Sequence, residues 1–151
     1  MHVYESREQF DAQLGTVKKW MRVGQALDIA PELLQDVAYS IGDSITYWWD
    51  GAEGLATPDM VGGRRYLTAL APMDGELAVV VAPKADLELT EAYSDLTDRE
   101  RFAAVDGPVV TVPAGGILVV DIDEAFRVLP EPGSHAVMAH VTFEGYSFPN
   151  K

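Results

Sequence analysis

The chain has 151 residues, 48% of them apolar, which is enough to bury the core of one domain. It contains no cysteine, which excludes disulfides, thiolate nucleophiles and cysteine-ligated metals, and it has no apolar run of about eighteen residues. Its 11 Lys and Arg against 24 Asp and Glu give a net charge of −13, which would repel nucleic acid and anionic membranes, so we expect neither as a partner. The polar, acidic stretch 1–13 does not have the pattern of a signal peptide, so we expect a cytoplasmic protein.

The first 35 residues predict helices. Ser6 and Gln9 have the spacing of a capping box, and apolar residues then recur at helical intervals from Phe10 onward. Gly15 and Gly24 are the two places where a helix is expected to break. A proline suits the first turn of a helix, so the segment 31–35 is expected to form a second, short helical turn.

From residue 36 the apolar period changes to two, which predicts a β-barrel over 36–151. A loop rich in Gly, Pro, Asp and Ala is expected at 50–63, and one short helix near 95–104. Short strands separated by Gly/Pro turns are typical of a sandwich or a jelly-roll barrel, so we predict a single domain over 1–151 with the helices packed on the barrel. The predicted strands are 36–49, 64–71, 77–82, 87–93, 109–112, 117–122 and 136–143.

The usual sequence motifs for phosphate binding, dinucleotide binding, a nucleophile elbow and a zinc protease are missing. We therefore consider the histidines first as candidate site residues. His135 and His140 lie five positions apart and point to opposite faces of one strand, so they cannot jointly ligate one metal. His140 shares its face with Met138 and Thr142, which fits either a pocket lining or a partly buried core histidine. His135 follows a Pro-Gly-Ser turn and is expected at the surface.

An acidic cluster follows an apolar strand. Asp121 and Asp123 share a face, as a hard cation or a sugar hydroxyl would require, and Glu124 follows them. The alternative is a solvated strand end in an acidic chain.

Arginine and aromatic side chains form a second candidate group. Arg64 and Tyr66 are suited to hydroxyl-rich or carboxylate ligands, although in so acidic a chain they could equally form ion pairs. Trp48 and Trp49 suggest a sugar-stacking platform, but adjacent strand residues face opposite ways, so one of them is expected in the core.

Several stretches in chain order carry a resemblance to a known family. They are Lys18-Lys19-Trp20, AYSIGDSITY at 38–47, GGRRY at 62–66, VAP at 81–83, Tyr93 with TDRE at 97–100, DIDEAFR at 121–127, and VTFEGY at 141–146 with Asn150-Lys151. On these residues the chain resembles the YhcH/YjgK/YiaL family, most closely its branch of small β subunits of the evolved β-galactosidase.

The resemblance implies a double-stranded β-helix, a cupin-like funnel, and a role in carbohydrate metabolism. The nearest branch implies an accessory subunit that a large glycosidase (β-galactosidase) chain needs for full activity. The wider family implies an alternative, a metal-free anomerase or isomerase of sialic acid or another sugar, with a small sugar in the funnel. A homo-oligomer is expected by family analogy alone.

The chain departs from the family at the metal-ligand positions, so we expect no metal and no cofactor. Gly63 replaces the histidine before Arg64, and leucine and phenylalanine offer a metal no lone pair. The residues at the four family ligand positions are Thr68, Leu70, Leu96 and Phe126.

What remains on matching positions defines the expected site. Arg64, Tyr66 and Asp98 are predicted to bind the ligand, with Tyr66 pointing into the funnel. Glu124 and His140, which replaces a lysine typical of the family's last strand, are predicted as the acid and base. If Leu70, Leu96 and Phe126 filled the funnel, the enzyme hypothesis would fail.

Overall fold

A computed structural model describes residues 1–42 and 44–142, and in this part the protein is mainly β with few helices. Two antiparallel sheets of six strands each make up the fold. The strands are β1 (His2–Tyr4), β2 (Tyr39–Ile41), β3 (Ile45–Gly51), β4 (Met60–Gly62), β5 (Tyr66–Asp74), β6 (Leu77–Pro83), β7 (Leu89–Ser94), β8 (Arg99–Phe102), β9 (Val109–Val112), β10 (Ile117–Val120), β11 (Glu124–Val128) and β12 (His135–Thr142). The helices are α1 (Arg7–Leu14), α2 (Lys18–Ile29) and α3 (Ala52–Leu55), with 3₁₀ turns at Ala30–Glu32 and Lys84–Asp86.

Two runs of consecutive strands alternate between the two sheets. The first sheet runs β1-β10-β5-β12-β3-β2 and the second β7-β8-β4-β11-β6-β9. From β3 to β6 each strand crosses to the other sheet, and the same alternation returns from β9 to β12. The two sheets therefore share one interior, which is built from strands distant in sequence.

That interior is apolar because alternate residues of each strand point into it. Leu70 of β5 and Leu118 of β10 pack from the first sheet against Val79 of β6 and Val128 of β11 from the second. The sequence 77–82 lacks alternation because β6 is covered on both faces: Val79 belongs to the interior, whereas Val80 packs in a separate outer cluster. Strand pairing and burial thus agree with the mainly β prediction.

The N-terminal helices cover the outer face of the first sheet. Ser6 caps α1, since its Oγ accepts a hydrogen bond from the Gln9 backbone N–H at 3.1 Å, and the Gln9 side chain accepts one from Glu5 N–H at 2.7 Å. The helix ends at Gly15, but α2 runs without a break through Gly24. Aromatic residues Phe10 and Trp20 join the core formed with this sheet.

The predicted helix at 95–104 is wrong, because this segment is a turn followed by strand β8. Asp98 adopts a φ of 49°, which no α-helix tolerates, and the backbone then extends. Glu100 and Phe102 are buried while Arg99 and Arg101 are not, which is the period of a strand. Strands β7 and β8 therefore form a hairpin at the edge of the second sheet.

Other predicted boundaries also change. The expected loop at 50–63 contains α3 and strand β4, and strands β1 and β11 were not predicted at all. Position 43 of the predicted strand 36–49 and position 143 of the last predicted strand lie outside the described residues. In the part of the chain that the structure describes, no helix is both long enough and apolar enough to cross a membrane.

Candidate functional site

A cavity of about 240 Å³ is lined by residues of both sheets. Strands β3, β5 and β12 contribute one wall, and β4, β11 and the β7–β8 hairpin contribute another. Its apolar lining includes Trp48, Tyr66, Phe126 and Met138, and its polar lining includes Thr68, Asp98, Arg99 and His140. The cavity therefore combines aromatic surface with hydrogen-bonding groups, as small-molecule sites do.

His140 lies on β12 in the wall of this cavity. Its strand neighbours in register are Thr46 on β3 and Thr68 on β5, so the three side chains share one face. The Trp48 ring meets the imidazole edge-on at 5.2 Å, and the Tyr66 ring lies at 6.3 Å with an interplanar angle of 27°. Within residues 1–42 and 44–142, no group hydrogen-bonds the His140 ring nitrogens.

Burial lowers the pKa of His140 below its ordinary value. The nearby positive charge of Arg99 lowers this pKa further, and the negative charge of Asp98 opposes both. The imidazole is therefore neutral near pH 7, with one nitrogen able to accept a proton and the other able to donate.

Asp98 lies at the hairpin turn, and its carboxylate accepts four hydrogen bonds. Oδ1 accepts from the backbone N–H groups of Arg64 and Arg65 at 3.0 Å each, and from the Tyr93 hydroxyl. Oδ2 accepts from the Tyr66 N–H at 3.2 Å. Burial alone would raise the pKa of Asp98, but these hydrogen bonds outweigh it and hold that pKa below its usual range. The group is therefore a fixed anion rather than a proton carrier.

Arg64, predicted to bind the ligand, lies outside the cavity lining. Its guanidinium pairs with Glu100 at 3.0 Å and lies over the Tyr93 ring at 4.5 Å. The Lys84 ammonium also contacts Glu100, at 2.8 Å. Burial would raise the pKa of Glu100, but Arg64 and Lys84 outweigh it and lower that pKa. Of the three predicted ligand-binding residues, the structure brings Tyr66 and Asp98 to the cavity and gives Arg64 an ion pair.

Glu124, predicted as a partner of His140, also lies outside the cavity lining. Its carboxylate is 2.7 Å from the Met1 ammonium and accepts the Asp121 backbone N–H at 3.0 Å. The same ammonium lies 3.1 Å from Asp121. The structure therefore does not bring the predicted acid and base to one ligand.

The donor atoms do not fit a metal centre of the family type. The described cavity lining offers one imidazole, His140, and one carboxylate, Asp98, whose oxygens already accept four hydrogen bonds. Ligand oxygens of Asp121, Asp123 and Glu124 lie within 4.8 Å of one another, but the Met1 ammonium already contacts two of these residues.

The family ligand positions fall in three different environments. Thr68 and Phe126 line the cavity, Leu70 is fully buried in the interior core, and Leu96 is 94% exposed at the hairpin turn. Of the three apolar residues, only Phe126 therefore lines the cavity. At Gly63 an added Cβ would lie 2.6 Å from Asp98 Oδ2, so the family's histidine has no room beside this carboxylate.

Three residues that sequence reasoning did not assign are important here. Of the tryptophan pair, Trp48 lines the cavity, whereas Trp49 faces the other way and donates its indole N–H to the Leu33 carbonyl at 2.9 Å. Strand alternation indicated that the two would separate but not which faced inward. Arg99 was missed because the segment 95–104 was taken for a helix, whereas Tyr93 lies on the predicted strand 87–93 and was given no role. An accessory subunit would need an exposed apolar patch, for which the sequence offers Trp48, Trp49, Tyr146 and Phe148. Of these, Tyr146 and Phe148 lie outside the described residues.

No protein-family model matches the chain. Protein NMB1881 from Neisseria meningitidis is similar in structure, with 15% identity and a TM-score of 0.43 over 77% of this chain and 94% of that one. Hydroquinone 1,2-dioxygenase from Sphingomonas sp. TTNP3, solved with 4-hydroxybenzoate bound, has 14% identity and a TM-score of 0.49 over 78% of this chain and 71% of that one. At these low values neither likeness carries an argument about what this chain binds or does.

Proposed function

We propose that the two sheets form a double-stranded β-helix of the cupin-like jelly-roll type. Four strands of the first sheet in the order β10-β5-β12-β3 face four of the second in the order β9-β6-β11-β4. This interleaving is what two Greek keys produce when a chain alternates between facing sheets. The β7–β8 hairpin extends the second sheet beyond these eight strands, at the cavity rim.

We propose further that the chain binds a small sugar in the cavity and works in carbohydrate metabolism. The observation that carries this proposal is the pairing of aromatic rings with a hydrogen-bonding imidazole in one cavity: Trp48 and Tyr66 beside His140. A sugar has an apolar C–H face that packs on rings and a hydroxyl edge that both donates and accepts hydrogen bonds. Thr68 adds a second hydroxyl-binding group on the same wall.

Isothermal titration with D-galactose, and with D-glucose for comparison, tests the binding. A hexose has about 12 non-hydrogen atoms, and at about −0.3 kcal/mol per atom the expected Kd is on the order of 1 mM. Trp48→Leu should weaken binding about fivefold, the equivalent of about 1 kcal/mol of ring contact. Trp49→Leu is the matched control, since it removes a tryptophan that faces away, and it should leave the affinity unchanged. Equal losses in both variants would contradict the cavity as the site.

An accessory role beside a large glycosidase chain is favoured because the described cavity lining does not bring together the predicted acid–base pair, Glu124 and His140. Asp98 is held by donors of the turn 62–66 and Glu124 lies outside the lining, so among the described residues no carboxylate hydrogen-bonds His140. Affinity purification from the native cells, followed by native mass spectrometry, should recover a stoichiometric β-galactosidase-type chain. A homo-oligomer without a second protein would contradict this role.

Sugar anomerisation is the alternative, and the neighbouring Tyr66 phenol and His140 imidazole favour it. Ring opening needs one group to take the proton of the anomeric hydroxyl and another to protonate the ring oxygen. NMR exchange spectroscopy between the α and β anomers of D-galactose measures this directly. Catalysed exchange that disappears in His140→Gln would support an enzyme, and exchange at the uncatalysed rate would exclude one for this sugar.

A further inference from the structure

The cavity rim consists of two chain segments that meet each other. One is the turn 62–66 that joins β4 to β5, which contributes Gly62, Gly63 and Tyr66 to the lining. The other is the β7–β8 hairpin, which contributes Asp98 and Arg99. The shape of the rim therefore depends on what holds these two segments together.

The Asp98 carboxylate makes the main connection. It accepts hydrogen bonds from three consecutive backbone N–H groups, those of Arg64, Arg65 and Tyr66, at 3.0, 3.0 and 3.2 Å. Bonds to three successive peptide groups fix their orientation and with it the start of β5. The Tyr93 hydroxyl, on strand β7 of the same hairpin, donates the fourth hydrogen bond.

Tyr66 is the residue at which this connection reaches the cavity. In the part of the chain that is described, nothing hydrogen-bonds the Tyr66 hydroxyl, so its ring orientation depends on its backbone and on ring contacts. The ring lies 6.3 Å from the His140 imidazole and 5.9 Å from the Arg65 guanidinium carbon. The peptide N–H of the same residue is the one bound by Asp98 Oδ2.

We propose that Asp98 is a positioning residue that holds Tyr66 beside His140, and that it does not act as a ligand contact or proton donor. Four donors from the turn 62–66 and from Tyr93 already fix this carboxylate, three on Oδ1 and one on Oδ2, so its main contacts hold the rim together. Gly63 makes the arrangement possible, because any side chain there would collide with Oδ2. The consequence for sugar affinity rests on the proposed function, but the positioning itself does not.

The test is the NMR spectrum of the His140 imidazole, which feels the ring current of Tyr66. We would compare the wild type, Asp98→Asn, Tyr66→Leu and the double variant. Asparagine keeps the shape of aspartate but replaces one acceptor oxygen by an NH₂ group that cannot accept the backbone donors. Asp98→Asn should move the His140 resonances toward their position in Tyr66→Leu, while those of His2 and His135 stay in place.

The double variant separates positioning from a direct effect of charge. With Tyr66 removed, Asp98→Asn should change the His140 resonances much less than it does in the wild type, because the two residues act through one path. An equal change in both backgrounds, or no change in the wild type, would overturn the proposal. If Asp98→Asn does not fold, Tyr93→Phe removes one of the four donors and should move His140 in the same direction by a smaller amount.

Sugar binding provides the second readout. If the wild type binds D-galactose, Asp98→Asn should weaken binding about threefold or more, and it should cost nothing further in Tyr66→Leu. An unchanged affinity in Asp98→Asn would contradict the effect on the ligand. If the wild type binds no sugar, the proposed function fails, while the NMR comparison still decides whether Asp98 positions Tyr66.

Discussion

Replacing Gly63 by alanine should destabilise the protein by displacing the Asp98 carboxylate. A Cβ at position 63 would lie 2.6 Å from Oδ2, and ordinary contact begins at 3.4 Å, so the oxygen must retreat by 3.4 − 2.6 = 0.8 Å. That retreat directly lengthens the Oδ2 bond from the Tyr66 N–H, already 3.2 Å, and because the carboxylate is rigid it also bends the Oδ1 bonds from the Arg64 and Arg65 N–H groups. Losing one or two hydrogen bonds to a charged group predicts a cost of about 2–4 kcal/mol in the free energy of unfolding.

Urea denaturation followed by tryptophan fluorescence measures this cost, and Gly51→Ala is the matched control. Gly51 has an ordinary φ of −63°, and an added Cβ there would meet its nearest neighbours at 3.8 and 3.9 Å. This control should stay within about 0.5 kcal/mol of the wild type. Equal stability of the Gly63→Ala and Gly51→Ala variants would refute the argument that Asp98 is held tightly against the turn 62–66.

The other predictions concern titration and packing, and urea denaturation measures each of them. Burial lowers the pKa of His140 below its ordinary 6.5, so as pH falls through about 6.5 the unfolded chain takes up a proton before the folded chain does. The free energy of unfolding should therefore decrease as pH falls below about 6.5, and it should decrease less in His140→Gln. Burial lowers the pKa of Lys19 to about 8, so stability should rise from pH 8 toward 10.5, and an equal rise in Lys19→Met would contradict this. Leu70→Ala should cost about 2–5 kcal/mol because the side chain is fully buried, whereas Leu96→Ala, at 94% exposure, should cost less than about 0.5 kcal/mol.

The local sequence pattern was sufficient to predict the elements whose buried residues are all apolar or whose ends carry a capping motif. The strand predicted at 109–112 coincides with β9, and the capping-box spacing of Ser6 and Gln9 correctly marked the start of α1. Strand β8 was not predicted because its buried residues include a charged one, Glu100. A buried carboxylate is stable there only through Lys84 and Arg64, which lie 16 and 36 positions away in sequence. No local pattern reports partners at that distance.

The contrast between local pattern and distant partners also separates the parts of the site that could be predicted from those that could not. Two-residue periodicity grouped Tyr66 with Thr68 and His140 with Met138, each pair on one strand face, and the structure places all four in the cavity lining. Periodicity says which face a side chain takes but not where along the strand the cavity lies. Glu124 begins β11, where the Met1 ammonium binds it, whereas Phe126 of the same strand reaches the cavity. Glu124 was therefore assigned to the wrong environment.

The most direct test of the central claim is an NMR titration of the wild-type protein with D-galactose, observed at the three histidines. His140 lines the cavity, whereas His135 pairs with Asp74 at 3.0 Å on the outer side near Trp49. A sugar bound in the cavity should shift the His140 resonances in a saturable way and leave those of His2 and His135 unchanged. Saturable shifts confined to His2 or His135, or no shift at any histidine up to saturating sugar, would contradict a sugar site in this cavity.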